Sequence, residues 1–147
     1  MSLVECDFVC RYTKLKDDQN WLLPIMPCGE LNEPYTTERL RYLDHRLLSQ
    51  WQKVLDINFN SLEDIEDCLK GRKNKDISIC CTSVGRLDAI VLSFRLFVDE
   101  ENVLDTFPDS GSCWENAVYP VRRHITVNAS NEVTIQLSVE TTLNITV

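Results

Sequence analysis

The sequence predicts a mainly β protein, a β-dominated α+β domain built as an antiparallel β-barrel or sandwich with two short helices and an irregular N-terminal arm. Three observations predict it. Apolar and polar residues alternate along several segments after residue 75, which is typical of strands in sandwiches and barrels. Two earlier segments place apolar residues at helical spacing. The first 35 residues contain three of the five prolines, which interrupt regular structure.

The composition describes an acidic globular chain. It has 147 residues, enough for one domain, of which 44% are hydrophobic and 26% are charged. The net charge of −8 argues against nucleic-acid or anionic-membrane binding through electrostatic attraction. Only four glycines occur, and no two lie close enough for a dinucleotide fingerprint or a phosphate-binding loop. The commonest nucleotide-dependent enzymes are therefore excluded.

The cysteines indicate a reducing compartment. Seven cysteines at irregular spacing are typical of reduced thiols rather than of a secreted disulfide framework. Cys6 and Cys10 have no second pair of ligands, and His45 and His124 are isolated, so we predict no metal site. The N-terminus does not resemble a signal peptide, and no apolar stretch is long enough to span a membrane. We expect a cytoplasmic or nuclear location, or both.

The chain divides into an arm and a domain. Residues 1–35 are predicted to form an irregular arm or extension, and residues 36–147 a single β-rich domain. A first short helix is predicted over residues 36–48, capped by a threonine. Its apolar positions are Leu40, Leu43 and Leu47.

A strand and a second helix are predicted next. The strand covers residues 51–59. The helix follows Ser61, an N-cap with Asp64 three positions later in the manner of a capping box, and it ends at Gly71. The apolar side of the strand is Trp51, Leu55, Ile57 and Phe59, and the stripe of the helix is Leu62, Ile65 and Leu69.

From residue 76 the apolar period changes to two, which predicts strands. Ile77, Ile79 and Cys81 define the inward side of the first. A long strand over residues 89–98 has one face made of Ile90, Leu92, Phe94, Leu96 and Val98. The inward faces of the last two strands are Val133, Ile135, Leu137 and Val139, then Leu143, Ile145 and Val147.

Two segments carry residues suited to recognising a planar cation. The acidic run at residues 99–101 is either a solvated turn or a group of carboxylates that binds arginine or lysine. Trp114 follows a turn-rich stretch, and it either anchors the core or stacks on a cation. Nothing supports a hydrolase, because the Gly-x-Ser-x-Gly nucleophile elbow is absent.

An ordered set of segments carries a family resemblance. Residues 86–101, 104–106 and 113–120 follow one another as a long strand, an acidic turn, a short strand and a tryptophan loop. Together with residues 33–38 and 56–60, they resemble the C-terminal β-barrel of the protein arginine N-methyltransferases. The resemblance covers roughly residues 33–140.

The resemblance implies roles for particular residues. The family transfers a methyl group from S-adenosylmethionine to an arginine nitrogen of a protein substrate. Trp114 would line the arginine pocket, and Cys113 stands where many members have histidine. Glu115, Glu100 and Glu101 are further candidates for substrate binding. The acidic turn lies in the barrel half and is not the family's paired-glutamate loop.

Two loops that the family uses for catalysis are missing from the sequence, and the functional prediction depends on this. We find neither the Gly-rich cofactor loop nor the paired-glutamate loop. The resemblance therefore implies a barrel portion that binds no cofactor itself and is inactive alone, so whether it acts as an enzyme stays open. Its expected partners are an arginine-containing protein substrate, a catalytic methyltransferase domain in cis or in trans, and a second copy in a dimer.

The alternative is a non-catalytic β-sandwich that binds proteins. The two hypotheses differ in what they expect of Trp114. A methyltransferase barrel needs an exposed Trp114 and an apolar face left uncovered. An independent module predicts a buried Trp114 and a polar surface all round.

Overall fold

A computed structural model describes residues 1–6, 35–139 and 143–146, apart from the side chains of residues 122–124 and 143–146. Strands dominate it, as the sequence predicted. The strands are β1 (Ser2–Glu5), β2 (Thr36–Glu38), β3 (Arg46–Leu47), β4 (Lys75–Cys80), β5 (Gly85–Leu92), β6 (Arg95–Phe97), β7 (Val103–Asp105), β8 (Asn116–Val127), β9 (Glu132–Val139) and β10 (Leu143–Thr146). The helix α1 covers Leu62–Leu69, and 3₁₀ turns lie at Leu40–Tyr42 and Pro108–Ser110.

The strands pair into antiparallel sheets. A five-stranded sheet has the order β2-β8-β5-β1-β3, a second has the order β10-β9-β4, and β6 pairs with β7 alone. An isolated bridge between Ser49 and Cys81 connects the first two sheets. Within the described ranges these ladders form three separate sheets rather than one closed barrel.

The main core lies between the two larger sheets. The alternation predicted for β4 and β9 is confirmed, because Ile77 faces Ile135 and Ile79 faces Val133 across the pair, and all four are buried. Leu137 and Val139 continue the same inward face. The opposite face of the five-stranded sheet is also buried, against a smaller cluster. Its members are Val4, Cys6, Leu40, Ala89, Val91 and Val118.

The helix predicted over residues 36–48 is wrong. The segment contains β2, the 3₁₀ turn and β3, while Leu40 and Leu48 are fully buried. Isolated short helices are marginal, whereas strands at this position satisfy backbone groups at the edges of a sheet. Thr36 pairs with Val118 of β8, and Leu47 pairs with Val4 of β1. Tertiary pairing thus outweighs the helical spacing of the leucines.

The strand predicted over residues 51–59 is also wrong. These residues form no ladder, and Phe59 is exposed. The buried residue is Val54, which was not on the predicted apolar side. Residues 2–5, which the sequence placed in the irregular arm, form β1 inside the main sheet. The apolar stretch at residues 21–26 lies outside the described residues.

The second helix is confirmed, with two differences. Ser61 caps it by accepting a hydrogen bond from the backbone N–H of Asp64 at 3.2 Å, and Gly71 follows its end with a left-handed φ of 67°. The Asp64 carboxylate accepts from the N–H of Asn58 at 2.6 Å rather than closing a capping box. The predicted stripe does not face the core, because Leu62 is exposed and Cys68 is the buried residue.

Replacing Ser61 with alanine is expected to lower the free energy of unfolding by about 1 kcal/mol. The change removes the acceptor of the Asp64 N–H and leaves that donor without its cap. Urea unfolding measures the loss. Ser61→Asp is the matched control, since aspartate caps helices as well as serine does. Equal losses in the two variants would contradict the cap.

The long strand predicted over residues 89–98 is divided. β5 ends at Leu92, and the chain resumes as β6 in a separate two-stranded hairpin. Ile90 is buried, but Phe94, Leu96 and Val98 are exposed. The apolar face read from the sequence therefore continues beyond the core onto the surface. Ser93 and Phe94, between the strands, mark this change.

Cys68, Cys80, Cys81 and Cys113 are free thiols. Cys6, Cys68 and Cys81 are buried, while Cys80 and Cys113 are exposed. No helix in the described ranges is long and apolar enough to cross a membrane.

Candidate functional site

The acidic residues at 99–101 form the tip of the β6–β7 hairpin. The Asp99 carboxylate accepts the backbone N–H groups of Glu101 at 2.9 Å and Asn102 at 2.7 Å, and it also binds the Asn102 side-chain amide. These bonds, above all the one from the Asn102 side chain, lower the pKa of Asp99. Asp99 therefore closes the turn, while Glu100 and Glu101 are exposed at the tip.

Residues 107–115 form the loop that presents Trp114, called here the Trp114 loop. Gly111 adopts a left-handed φ of 74° after the 3₁₀ turn, a conformation that favours glycine. The backbone N–H of Trp114 donates to the Ser112 hydroxyl at 3.2 Å. The indole packs edge-on against the Phe94 ring with centroids 6.1 Å apart, and Trp114 remains 56% exposed. Trp114 is therefore a surface residue at the base of the hairpin.

A buried polar network holds this base to the main sheet. The Asn116 amide donates to the Ser93 hydroxyl at 2.9 Å and to the Thr106 carbonyl at 2.8 Å. The Thr106 hydroxyl accepts the N–H of Phe94 at 2.8 Å. Asn116 and Thr106 are both buried. Because Asn116 begins β8, these bonds fix the hairpin and the Trp114 loop relative to one another.

A narrow crevice opens beside Trp114. Its volume is about 10 Å³, which is room for about one water molecule. A guanidinium group is larger than that, so the crevice is not a formed arginine pocket. Its lining includes Arg39, Arg41, Thr106, Phe107, Ser112 and Trp114.

The charges around the crevice are mixed. The Arg39 guanidinium lies 3.8 Å from the Glu115 carboxylate, and both side chains are well exposed. Arg41 lies beside the Tyr42 ring, 4.7 Å from its centre. Partial burial raises the pKa of Glu38, a hydrogen bond from the Thr36 hydroxyl opposes the rise, and the charge of Glu115 adds to it. Glu115 thus interacts with a positive charge, Arg39, and with a negative one, Glu38.

Replacing Glu38 with glutamine is expected to raise the free energy of unfolding at neutral pH by about 0.5 kcal/mol. Because the pKa of Glu38 is raised, its carboxyl group binds a proton more tightly in the folded state than in the unfolded state. Stability contributed by the protonated group is therefore lost as pH rises from about 4.5 through the higher folded pKa. Unfolding measured across this range tests it, with Glu63→Gln as the exposed control. Parallel pH profiles for the wild type and Glu38→Gln would contradict the assignment.

The five predicted site residues fall into two groups. Cys113, Trp114 and Glu115 are adjacent at the base of the hairpin, and Cys113 is an exposed free thiol. Glu100 and Glu101 lie at its tip. Asp99 follows Phe94 by five positions, which corresponds to about 16 Å of extended chain. The carboxylates at the tip and the tryptophan therefore do not share one pocket within this chain, and their role in substrate binding stays a prediction.

A second depression lies elsewhere on the surface. Its volume is about 310 Å³, and it contains none of the predicted site residues. Its cations are partly neutralised, because the Lys73 ammonium donates to the Asp64 carboxylate at 2.5 Å and to the Asp56 carbonyl at 2.7 Å. The lining residues are Leu55, Asp56, Arg72, Lys73, Asn74 and Lys75. In the part of the chain that the structure describes, no three potential metal ligands converge.

Sequence reasoning missed several residues of the site. Arg39 and Arg41 were placed in a helix, and only the pairing of β2 with β8 brings them beside Trp114. Asn116 and Thr106 carry no sequence signal that separates a buried amide or hydroxyl from an exposed one. Phe94 could have been noticed, because it lies on the predicted apolar face next to a turn-rich stretch.

Comparison with known proteins identifies relatives. Protein arginine N-methyltransferase 9 of Xenopus laevis is 36% identical over 96 residues, the human protein is 37% identical over 95, and the Mus musculus protein is 35% identical over 95. The chain is a relative of the protein arginine N-methyltransferases. The resemblance predicted from the sequence is thereby confirmed.

The matches cover 63–64% of this chain but only 11–12% of the length of the arginine N-methyltransferases. No family model matches the chain. The relationship therefore concerns a small part of proteins that are much longer than this chain.

Proposed function

We propose that this chain is the substrate-facing barrel portion of an arginine methyltransferase, acting with a catalytic domain supplied in cis or in trans and inactive without it. Trp114 contributes one wall of the site that holds the substrate arginine. The other walls and S-adenosylmethionine belong to the catalytic domain. The proposal also places the protein in the cytoplasm or the nucleus and allows it to form a dimer.

The exposure of Trp114 carries the proposal. A tryptophan that only anchors a core is buried, whereas this indole contacts the Phe94 ring and stays 56% exposed. An open aromatic face attracts a guanidinium, which stacks on it as a planar cation. The uncovered apolar surface next to it also distinguishes this proposal from a free-standing sandwich with a polar surface.

The size of the crevice supports an incomplete site. With room for about one water, it cannot enclose a guanidinium, and the arginines that line it repel a cation. Of the nearby carboxylates, Glu115 lies within ion-pair distance of Arg39, and Glu38 is partly buried. The carboxylates that would hold the substrate guanidinium must therefore come mainly from another domain.

The described residues do not fit S-adenosylmethionine. The crevice is too small for a nucleoside, and the larger depression presents Arg72, Lys73 and Lys75 to a cofactor that itself carries a sulfonium cation. We assign no methyl-transfer step to this chain. Its own residues orient and stack the arginine, and Glu100 and Glu101 attract a basic substrate segment from the hairpin tip.

Titration with an arginine-rich peptide tests the proposal. We expect the Trp114 indole N–H resonance to shift in nuclear magnetic resonance spectra, more strongly than with a lysine-matched peptide, because guanidinium stacks better than ammonium. Trp114→Ala is expected to weaken binding by about tenfold. Phe97→Ala, an exposed aromatic on the other face of the hairpin, is the matched control.

The acidic tip and the cofactor provide two further readouts. Binding is expected to weaken with salt and to fall on Glu100→Gln with Glu101→Gln, because exposed charges are screened. Calorimetry with S-adenosylmethionine is expected to show no binding, and a methylation assay no turnover. Micromolar binding of S-adenosylmethionine by the chain alone, or peptide binding that leaves the Trp114 resonance unchanged, would overturn the proposal.

A further inference from the structure

The outer edge of β6 carries backbone groups that no described strand pairs. Across the hairpin, the Thr106 N–H donates to the Phe94 carbonyl at 3.0 Å, and the Val98 N–H also bonds to the β7 side, at 2.9 Å. Backbone groups along an antiparallel strand point alternately to its two sides, so those of Arg95 and Phe97 point away from β7. Within the described ranges β6 has no neighbour on that side. Two N–H groups and two carbonyls are therefore open to a further strand.

The outer edge of β7 is less suited to such pairing. The Ser110 hydroxyl donates to the Asp105 carbonyl at 2.9 Å, so the 3₁₀ turn occupies that edge near the hairpin base. An exposed edge is usually protected by proline or by charged side chains. β6 contains no proline, and its one charged side chain, Arg95, is paired with Asp105 at 2.6 Å. All three residues of β6 are exposed, which leaves its edge accessible.

We propose that the substrate segment binds as an extended strand added to the outer edge of β6, antiparallel to it. In naming an arginine-containing peptide as the occupant, the inference rests on the proposed function. The backbone of the segment exchanges hydrogen bonds with Arg95 and Phe97, while its side chains alternate between the two faces of the hairpin. An antiparallel strand continues the pairing of β6 with β7 and bonds slightly better than a parallel one.

One face of the hairpin determines which side chains the segment needs. Phe94, Leu96 and Val98 lie on the same face because they are two residues apart. The Phe94 ring contacts the Trp114 indole, so the substrate residue opposite Phe94 is the arginine that stacks on Trp114. The residue two positions before this arginine lies opposite Leu96 and packs best when it is apolar.

The acidic tip adds a second requirement. Val98 directly precedes the tip, where Asp99 is held within the turn and Glu100 and Glu101 are exposed. Val98 lies four residues, or about 13 Å, from Phe94. A basic side chain opposite Val98 is therefore beside the carboxylates and is attracted by them. In antiparallel order, the preferred segment has a basic residue at its first position, an apolar residue at its third and arginine at its fifth.

N-methylated peptides test the strand pairing without altering the protein. The reference is a capped peptide with lysine, valine and arginine at the first, third and fifth positions and serine between them. N-methylation of the second or the fourth residue removes an N–H that bonds the Phe97 or the Arg95 carbonyl. Either change is expected to weaken binding about threefold to tenfold, measured by the shifts of the Arg95 and Phe97 amide resonances. N-methylation of the third residue is the matched control, because its N–H points away from β6.

Two proline variants test the same bonds from the side of the protein. Phe97→Pro removes the outward N–H, whereas Phe97→Ala removes only the ring and keeps that donor. We expect Phe97→Pro to bind the reference peptide about threefold to tenfold more weakly than Phe97→Ala does. Val103→Pro makes the same change on the outer edge of β7 and is expected to leave binding unchanged. An unaltered Trp114 indole resonance in the absence of peptide confirms that each hairpin is intact.

Exchanging the lysine and the valine of the peptide tests the spacing. The exchange keeps the composition and the face but places the lysine opposite Leu96, about 7 Å short of its place at the tip. Binding is expected to weaken about threefold and to depend less on salt. In Glu100→Gln with Glu101→Gln, the two peptides are expected to bind equally, because the carboxylates that distinguish them are absent.

Three results would overturn the added strand. They are equal effects of N-methylation at the second and third residues, equal binding by Phe97→Pro and Phe97→Ala, and equal binding of the two peptides to the unchanged protein. If the Trp114 resonance still shifts in these cases, the proposed function stands without the strand. Conversely, the expected losses without any Trp114 shift would support the strand and contradict the proposed arginine site.

Discussion

Replacing Asp88 with alanine is expected to lower the free energy of unfolding by about 3–5 kcal/mol. Asp88 is 1% exposed and lies where the pairing of β5 with β8 is irregular, between Leu87 and Ala89. One carboxylate oxygen accepts the Cys6 N–H at 2.9 Å. The Arg86 guanidinium donates to both oxygens, at 2.7 Å and 3.0 Å. The carboxylate therefore ties the end of β1 to β5 and holds the arginine.

The size of the effect follows from what the substitution leaves behind. Alanine removes the acceptor of the buried Cys6 N–H and the counter-charge of Arg86, and it opens a cavity. The Arg86 side chain is 34% exposed, so water can hydrate its guanidinium after the substitution. We therefore expect a loss of stability in the lower part of the 3–5 kcal/mol range. Urea unfolding at neutral pH measures the loss.

Two further variants separate the charge from the hydrogen bonds. Asp88→Asn keeps an oxygen for the Cys6 N–H but loses the charge, and a smaller loss is expected. Asp76→Ala, on the exposed side of β4, is the control and is expected to change stability by less than about 0.5 kcal/mol. A loss below 1 kcal/mol for Asp88→Ala would show that the buried pair does not stabilise the sheet.

Replacing Asn116 with alanine is expected to cost about 2–3 kcal/mol and to loosen the hairpin selectively. Asn116 is 3% exposed, and its amide bonds both Ser93 and the Thr106 carbonyl. Without the amide, that buried carbonyl loses its donor. Hydrogen exchange should become faster at two backbone N–H groups of the hairpin. The Phe94 N–H donates to the Thr106 hydroxyl, and the Thr106 N–H donates to the Phe94 carbonyl.

The control for Asn116→Ala is a substitution of Ser93, which takes part in only one of the two hydrogen bonds of the Asn116 amide. Ser93→Ala removes the hydroxyl acceptor and leaves the bond to Thr106, so a loss of about 1 kcal/mol and little change in exchange are expected. Uniformly faster exchange throughout β4 and β9 in Asn116→Ala would instead indicate global destabilisation. That result would contradict a specific role in anchoring the hairpin.

Both substitutions concern the support of the proposed site rather than its surface. Asp88 holds β1 against β5, while Asn116 holds the hairpin base, where Phe94 contacts Trp114. A stacking surface for a guanidinium works only if the indole is held in one orientation. Asn116→Ala is therefore also expected to reduce the shift of the Trp114 resonance on addition of an arginine-rich peptide.

Local sequence patterns were sufficient to predict an element whose conformation depends only on its neighbouring residues. The alternation of Val133, Ile135 and Leu137 indicated both the strand β9 and its inward face, because a period of two leaves only one face apolar. Ser61 and Gly71 marked the ends of α1, since capping depends on a few neighbouring residues. The segments that resemble arginine methyltransferases likewise lie in linear order, so the relationship could be read before any contact was known.

Where a segment's conformation depended on distant partners, the sequence was not sufficient. The leucines at residues 40–47 fit a helix, but the edges of β8 and β1 pair with this segment as strands. The apolar alternation through Phe94 and Leu96 predicted one long strand, yet the hairpin leaves the core after Leu92. Sequence alternation reports which residues share a face, but not whether another element covers that face.

Local sequence patterns were enough to predict the β-dominated class, the strands with one apolar face, the helix α1 and the relationship to arginine methyltransferases. The folded chain was needed to show that Trp114 is exposed, that Glu100 and Glu101 lie at the far end of the same hairpin, and that Arg39 and Arg41 line the crevice. Class and period can be predicted because they depend on neighbours within a few residues. A site is instead assembled by pairing between residues such as Glu38 and Asn116, which are distant in the chain.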